Sequence, residues 1–179
     1  MKNKLTAVCF EWIKPVLFAV CLAPLIIIFL LRMVDVDGPS MMDTLQNQDK
    51  VIVTSLLYKP KPGDIIAVSH GENIDKPLIK RVIAVEGQKI EINAQTGDVL
   101  VDGVLLNEPY IKDKTLGGIN WDFPSTVPEG KIFVMGDNRL ISKDSRDSDV
   151  GLIHTSDVIG KAQLSLIHIS EPTRHSLIS

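Results

Sequence analysis

Ser40, within VDGPSMMDTL (residues 36–45), is a candidate nucleophile. A serine hydroxyl attacks a carbonyl only when a base takes its proton. The usual base is histidine, and the chain has four: His70, His154, His168 and His175. None lies in a recognisable motif, and a Ser-His-Asp triad stays open at this level. The other base is lysine, provided that it is neutral near pH 7. That requires its pKa to fall from ~10.4 to roughly 7–8 through burial. A shift of about three units costs roughly 4 kcal/mol of desolvation, supplied by the fold. The suitable lysine therefore sits inside an apolar strand, and Lys80 does so in PLIKRVIAV. Lys89, in GQKIEI, is nearer a turn and reads as solvated.

The elements that must position these residues are short. KVIVTSLL, GDIIAVS, LIKRVIAVEG, QKIEIN, DVLVDGVLL and KIFVMGD are rich in β-branched residues. KPKPGD, NAQTGD, VDG and VPEG separate them as turn signals. Helical periodicity is absent after Arg32, so the body reads as all β. VLVDGVLLNEPYI predicts a hairpin that turns at Asp102-Gly103. No internal repeat or low-complexity run interrupts the chain.

Ahead of the body stands VLFAVCLAPLIIIFLL, Val16 to Leu31, with no charged residue. As a helix it reaches roughly 24 Å, short of the ~30 Å hydrocarbon core. Trp12, Ile13 and a snorkelling Lys14 close most of the gap. Pro24 is better tolerated in a membrane helix than in a soluble one. No A-x-A site follows the run, which argues against a cleaved signal peptide. Residues 1–33 therefore read as a cytoplasmic N-terminus and one transmembrane anchor. Lys2, Lys4 and Lys14 precede the span and only Arg32 closely follows it. The positive-inside rule then puts the body outside the plasma membrane.

The whole chain carries a net charge of −3. Residues 33–163 hold 14 basic and 20 acidic residues, a poor surface for phosphate, so nucleic acid is excluded as a partner. Both cysteines, Cys9 and Cys21, precede the body. A disulfide framework or a cysteine-based zinc site is therefore impossible there. No metal-ligand cluster and no cofactor motif is visible. Nothing points to oligomerisation, so a monomer is expected.

The ordered set GPSMMDTL, GDIIAV, IKRVIAVEGQKIEI, LNEPYI, VPEGKIFVMGDNRLISKDSR and VIGKA carries a resemblance. From about Trp12 to Gln163 the chain resembles the bacterial type I signal peptidases, membrane-bound serine–lysine proteases that remove signal peptides from exported preproteins. The resemblance implies that Ser40 attacks the scissile carbonyl, that Lys80 takes its proton, and that the Ser40 N–H donates to the oxyanion. It implies that Ser142 hydrogen-bonds the lysine amine. It further implies that Asp144 with Arg146, and Asp137 with Arg81, are ion pairs bracing the site. Gly38 stands where many members have a serine that supplies a second oxyanion donor. Met41 and Met42 are expected beside the membrane-facing surface and the substrate groove. GDIIAV, with Asp64 and Ile65, resembles an edge strand on which an extended signal peptide adds.

Each residue alone has a plainer reading. Ser40 beside Pro39 is a turn serine, Lys80 an outward strand lysine, Arg81 a surface charge and the methionine pair core. The joint occurrence of the motifs favours catalysis. Two departures stand out: Asp43 replaces a usual proline, and LISK replaces a more polar stretch. Two other readings share these motifs: a Ser–Lys protease dedicated to a pilus or conjugation substrate, and a catalytically impaired membrane-anchored homologue that binds peptides. On this reading residues 34–163 form the catalytic domain. LSLIHISEPTR (residues 164–174) resembles the conceptual translation of a transposon-type sequencing adapter, so residues 164–179 are expected to be a non-native tail.

Overall fold

The β-rich runs pair into two antiparallel sheets in the computed structural model, which describes residues 12–24, 31–117, 119–120 and 122–167. The strands are β1 (Leu31–Asp35), β2 (Lys50–Thr54), β3 (Ile65–Val68), β4 (Leu78–Val85), β5 (Ile90–Ile92), β6 (Val99–Val101), β7 (Val104–Leu105), β8 (Lys131–Met135), β9 (Ile153–His154) and β10 (Val158–Ile167). A seven-stranded sheet has the order β1-β2-β10-β3-β4-β8-β9, and a three-stranded sheet the order β5-β6-β7. One 3₁₀ turn, Thr155–Asp157, leads into β10.

The expected hairpin forms. Val101 faces Val104 across a two-residue turn in which Asp102 and Gly103 have φ of 53° and 75°. That is the backbone a right-twisted two-residue hairpin needs, and Asp-Gly adopts it at little cost.

The larger sheet corrects one expectation. β3 is not an edge strand, because Ile66, Ala67 and Val68 pair with β10 on one side and with β4 on the other. β10 returns from the far end of the chain to fill that place, which a local reading of GDIIAV cannot foresee. At Lys161 the β10 pairing passes to β2, opposite Thr54. Only Ile65, with Asp64 before it, extends past the β10 register. The backbone of β10 runs on to Ile167, into the expected tail, whose residues 168–179 lie outside the described residues.

Three apolar clusters hold the strands. Ile83, Ala84, Phe133 and Met135 of the large sheet pack with Ile90, Val99 and Val101 of the small one. Phe133 is fully buried against Phe123, with ring centroids 4.9 Å apart. Burying such a ring contributes about 2–3 kcal/mol. Val36, Met41, Leu45, Val51, Ile65 and Ile79 form a second cluster under the Ser40 turn. Both clusters draw on β4, which explains why this strand is buried along most of its length.

The chain divides into two units after Arg32. In the first, residues 12–24 are helical and their apolar side chains, Trp12, Val16 and Phe18 among them, are exposed. Residues 25–30 of the expected anchor lie outside the described residues, and Leu31, read as its last residue, has strand backbone. Among the described residues no helix is long and apolar enough to cross a membrane.

Candidate active site

Ser40 sits in a turn-rich segment between β1 and β2. The turn closes on itself through Met42 N–H to the Pro39 carbonyl, 3.2 Å, and Leu45 N–H to the Met41 carbonyl, 2.9 Å. Apolar packing of Met41 and Leu45, 1% and 0% exposed, pins it from below. Met41 is therefore core rather than groove lining, while Met42 stays half-buried.

Lys80 comes from the middle of β4, opposite Ile66. Its Nζ lies 2.7 Å from Ser40 Oγ, forty residues away in the chain. The side chain is almost wholly buried. Burial pushes its pKa down to about 8; Asp144 and Asp137 act upward, Arg146 downward. A neutral amine at that distance can accept a hydroxyl proton at mildly alkaline pH. Lys89 is exposed and paired with Glu91, as expected of a solvated lysine. His70 and His154 are exposed as well. Ser69 Oγ meets His70 Nδ1 at 2.9 Å, but that contact joins chain neighbours on an exposed turn.

Two ion pairs with fully buried carboxylates flank the dyad. Arg146 holds Asp144 through Nε–Oδ1 and Nη2–Oδ2 contacts, both 2.8 Å. Neither side chain is more than 1% exposed. Gly136 N–H donates to the same carboxylate at 3.0 Å. Arg81, next to Lys80, donates Nε and Nη2 to Asp137 at 2.8 and 2.7 Å, and Nη1 to the Gly63 carbonyl at 2.9 Å. Burial opposes the charge on Arg81, but Asp137 prevails and raises its pKa. Asp137 also accepts from the Thr44 hydroxyl, which ties it directly to the nucleophile turn.

The segment after β8 completes the enclosure. Asn138 N–H donates to the Ser40 carbonyl at 3.0 Å, and Ser142 N–H to the Asn138 carbonyl at 3.0 Å. Ser142 Oγ is buried without a hydrogen-bond partner, so the expected bond to Lys80 is not made. Gly136 makes this packing feasible. A Cβ there would lie 2.2 Å from Ser142 Oγ and 2.5 Å from the Ser40 carbonyl oxygen, closer than real Cβ atoms approach.

The remaining expected site residues are placed as follows. Gly38 N–H donates to Asn47 Oδ1 at 2.8 Å, so this backbone donor is already engaged. The Asp64 carboxylate takes Lys161 Nζ at 2.6 Å and the Tyr58 hydroxyl at 2.8 Å. Burial raises its pKa, and the bonds from Lys161 and Tyr58 outweigh this and hold it low. Ile65 is buried in the second cluster, opposite Arg81. Gly136, Thr44, Arg139, Glu108 and Tyr110 were not singled out from sequence. The motifs that hold them, GPSMMDTL for Thr44, GDNR for Gly136 and Arg139, and LNEPYI for Glu108 and Tyr110, are the available signal.

The chain is similar to known proteins over most of its length. Residues 9–167 match the family described as Signal peptidase, peptidase S26. A signal peptidase I of Bacillus licheniformis is 36% identical over 172 residues, covering 90% of each chain. Signal peptidase I T of Bacillus subtilis strain 168 is 34% identical over 179 residues, covering 94% of this chain and 91% of its own. The crystal structure of a signal peptidase I from Enterococcus faecalis V583 aligns with 59% of this chain and 98% of its own, at 30% identity and a TM-score of 0.47. A family model that spans residues 9–167, with relatives 34% and 36% identical over most of both chains, shows that the chain belongs to the signal peptidase family, peptidase S26, and is a serine endopeptidase.

Proposed function

We propose that this chain is a membrane-anchored signal peptidase I that cleaves exported preproteins with Ser40 as nucleophile and Lys80 as base. The observation that carries the reading is the 2.7 Å Lys80–Ser40 contact at a lysine whose burial brings its pKa to about 8. Neutral Lys80 takes the Ser40 hydroxyl proton as Oγ bonds to the scissile carbonyl carbon. The ammonium then protonates the departing amine, leaving an acyl-enzyme ester and a neutral lysine. Lys80 next takes a proton from water, whose oxygen attacks the ester. Collapse of the second tetrahedral species frees the new carboxylate end and returns the proton to Ser40 Oγ. The Ser40 N–H is assigned to the developing oxyanion.

Asp144–Arg146 and Asp137–Arg81 brace the dyad, and Ser142, whose buried Oγ has no other partner among the described residues, is assigned to orient the lysine amine. Asp64 and Ile65 lie at the entry of the substrate groove. Residues 1–33 anchor the chain in the plasma membrane with the N-terminus cytoplasmic, and residues 34–163 form the extracytoplasmic catalytic domain. The chain acts as a monomer at the bilayer, and residues 164–179 are a non-native tail. The charge-free run Val16–Leu31 and the charge bias around it support the topology.

The test is cleavage of a preprotein bearing an A-x-A site by full-length protein in detergent, beside Ser40→Ala and Lys80→Ala. The reading requires cleavage after that site by the wild type and a loss of at least about a thousandfold in each variant. Undiminished activity in either variant sinks it.

A further inference from the structure

LNEPYI was singled out as a motif, yet neither ion pair beside the dyad uses it. Its side chains nonetheless join the two arginines that grip the site. The Tyr110 ring lies under Arg81, with the guanidinium carbon 3.8 Å from the ring centroid. The Tyr110 hydroxyl donates to Glu108 Oε1 at 3.0 Å. Glu108 holds Arg139 in a fork, with Nη1–Oε2 at 3.0 Å and Nη2 on Oε1. Arg139 is fully buried and also reaches the Thr115 hydroxyl at 2.6 Å and, through Nε, the Gly136 carbonyl at 3.1 Å.

The path then closes on the reacting atoms from both sides. Arg81 holds Asp137, which accepts from Thr44 of the nucleophile turn. Arg139 holds Gly136, whose missing side chain leaves room for the Ser40 carbonyl and for Ser142. Between these grips, Asn138 N–H takes the Ser40 carbonyl. Residues 136–139 are thus clamped at both ends, and the Tyr110–Glu108 bond is the link between the clamps. A guanidinium stacked on a ring loses rotational freedom as well as gaining attraction, so the ring fixes the plane in which Arg81 meets Asp137.

We infer that Glu108 and Tyr110 are positioning residues for peptide-bond cleavage: they couple Arg81 to Arg139 and so keep the Ser40 turn in register with Lys80. Burial, then the Glu108 charge, pushes the Tyr110 phenol above its ordinary range, which keeps it a donor throughout the working pH range. The inference rests on the Ser40–Lys80 reading.

The experiment measures kcat and KM for the same preprotein, per folded enzyme and well below each variant's melting temperature, in full-length protein. Tyr110→Leu removes the ring; kcat is expected to fall about 10- to 100-fold, with KM within about twofold. Tyr110→Phe keeps the ring but loses the hydroxyl that links the clamps; kcat is expected to fall about three- to tenfold, less than in Tyr110→Leu. Glu108→Gln, which keeps the shape, is expected to lower kcat about tenfold. A Tyr110→Leu protein with wild-type kcat overturns the inference, as does a loss confined to KM or a Tyr110→Phe protein with wild-type kcat. If Tyr110→Leu does not fold, Glu108→Gln and Tyr110→Phe decide: wild-type kcat in both overturns, a loss of kcat in both with KM unchanged supports. Ser40→Ala, run alongside, separates the two readings. Its inactivity beside fully active Tyr110 variants sinks only this inference, and its activity sinks the dyad.

Discussion

Asp144 and Arg146 lie two residues apart and meet through paired 2.8 Å contacts, both side chains out of reach of water. The pair acts on Lys80 with opposite signs, Asp144 favouring its charge and Arg146 opposing it. Desolvation by burial remains the largest influence on the lysine and prevails over both Asp144 and Asp137. The pair ties the segment between Gly136 and Arg146 together, because the same carboxylate also accepts from the Gly136 N–H.

Removing one member of that pair leaves the other charge buried and alone. Asp144→Ala is expected to destabilise the fold by about 3–5 kcal/mol, and Gly136 N–H loses its acceptor as well. Urea unfolding of the variant against wild type measures this. A change below about 1 kcal/mol would show that water or a rearranged partner reaches Arg146.

On the proposed mechanism, the depressed Lys80 pKa sets the pH profile. The base is competent when neutral, so kcat/KM is expected to rise about tenfold per pH unit below about 8 and to level off above it. The stability effect follows from the same shift. Between about 8 and the ordinary 10.5 the unfolded chain binds the proton and the folded chain does not, so stability rises with pH across that window. Below about 8 both states are protonated and the full cost, about 3 kcal/mol, remains. Lys80→Met removes it. That variant is expected to be inactive, yet more stable at pH 7 by up to that amount, with the alkaline rise in stability abolished. Chemical denaturation at pH 7 and pH 10 tests both signs.

Gly136→Ala places a methyl against Ser142 Oγ and the Ser40 carbonyl. Both lie closer than a real Cβ tolerates, so Ser142 and the Ser40 carbonyl must each give way, or the segment must shift, by up to about an ångström. Displacement on that scale is expected to lower kcat roughly a hundredfold with little effect on KM. Steady-state kinetics of the folded variant checks this, and wild-type kcat would mean that the segment after β8 yields without disturbing Ser40.

Arg81→Lys keeps the charge but not the fork. A single ammonium cannot make the two bonds to Asp137 and a third to the Gly63 carbonyl, nor stack flat on Tyr110. Asp137 is fully buried, so its unmet acceptor capacity is expensive. A loss of about 2–3 kcal/mol in stability and at least tenfold in kcat is expected, read from urea titration and preprotein cleavage. Equal performance by Arg81→Lys would assign Arg81 to charge alone.

Much of this was legible in the chain. The alternation of apolar runs and Gly, Pro and Asn breaks marks β2 through β8, because strand and turn preferences are local. Asp102-Gly103 is readable as a hairpin for the same reason. Ser40 and Lys80 are readable because the ordered motifs around them resemble a known family. A lysine flanked by Leu78, Ile79, Val82 and Ile83 also implies burial. The tertiary structure alone decided what depends on distant segments meeting. β10 enters between β2 and β3 and turns a supposed edge into an interior strand. Met41 goes to the core because Val51 and Ile79 are there to receive it. Arg139, Glu108 and Tyr110 become one network only when residues some thirty positions apart come within hydrogen-bond reach. The sequence determined which groups could react. Only the fold decided which of them are dry, how far apart they stand and what charge they bear, because desolvation and hydrogen-bond geometry are properties of three-dimensional neighbours.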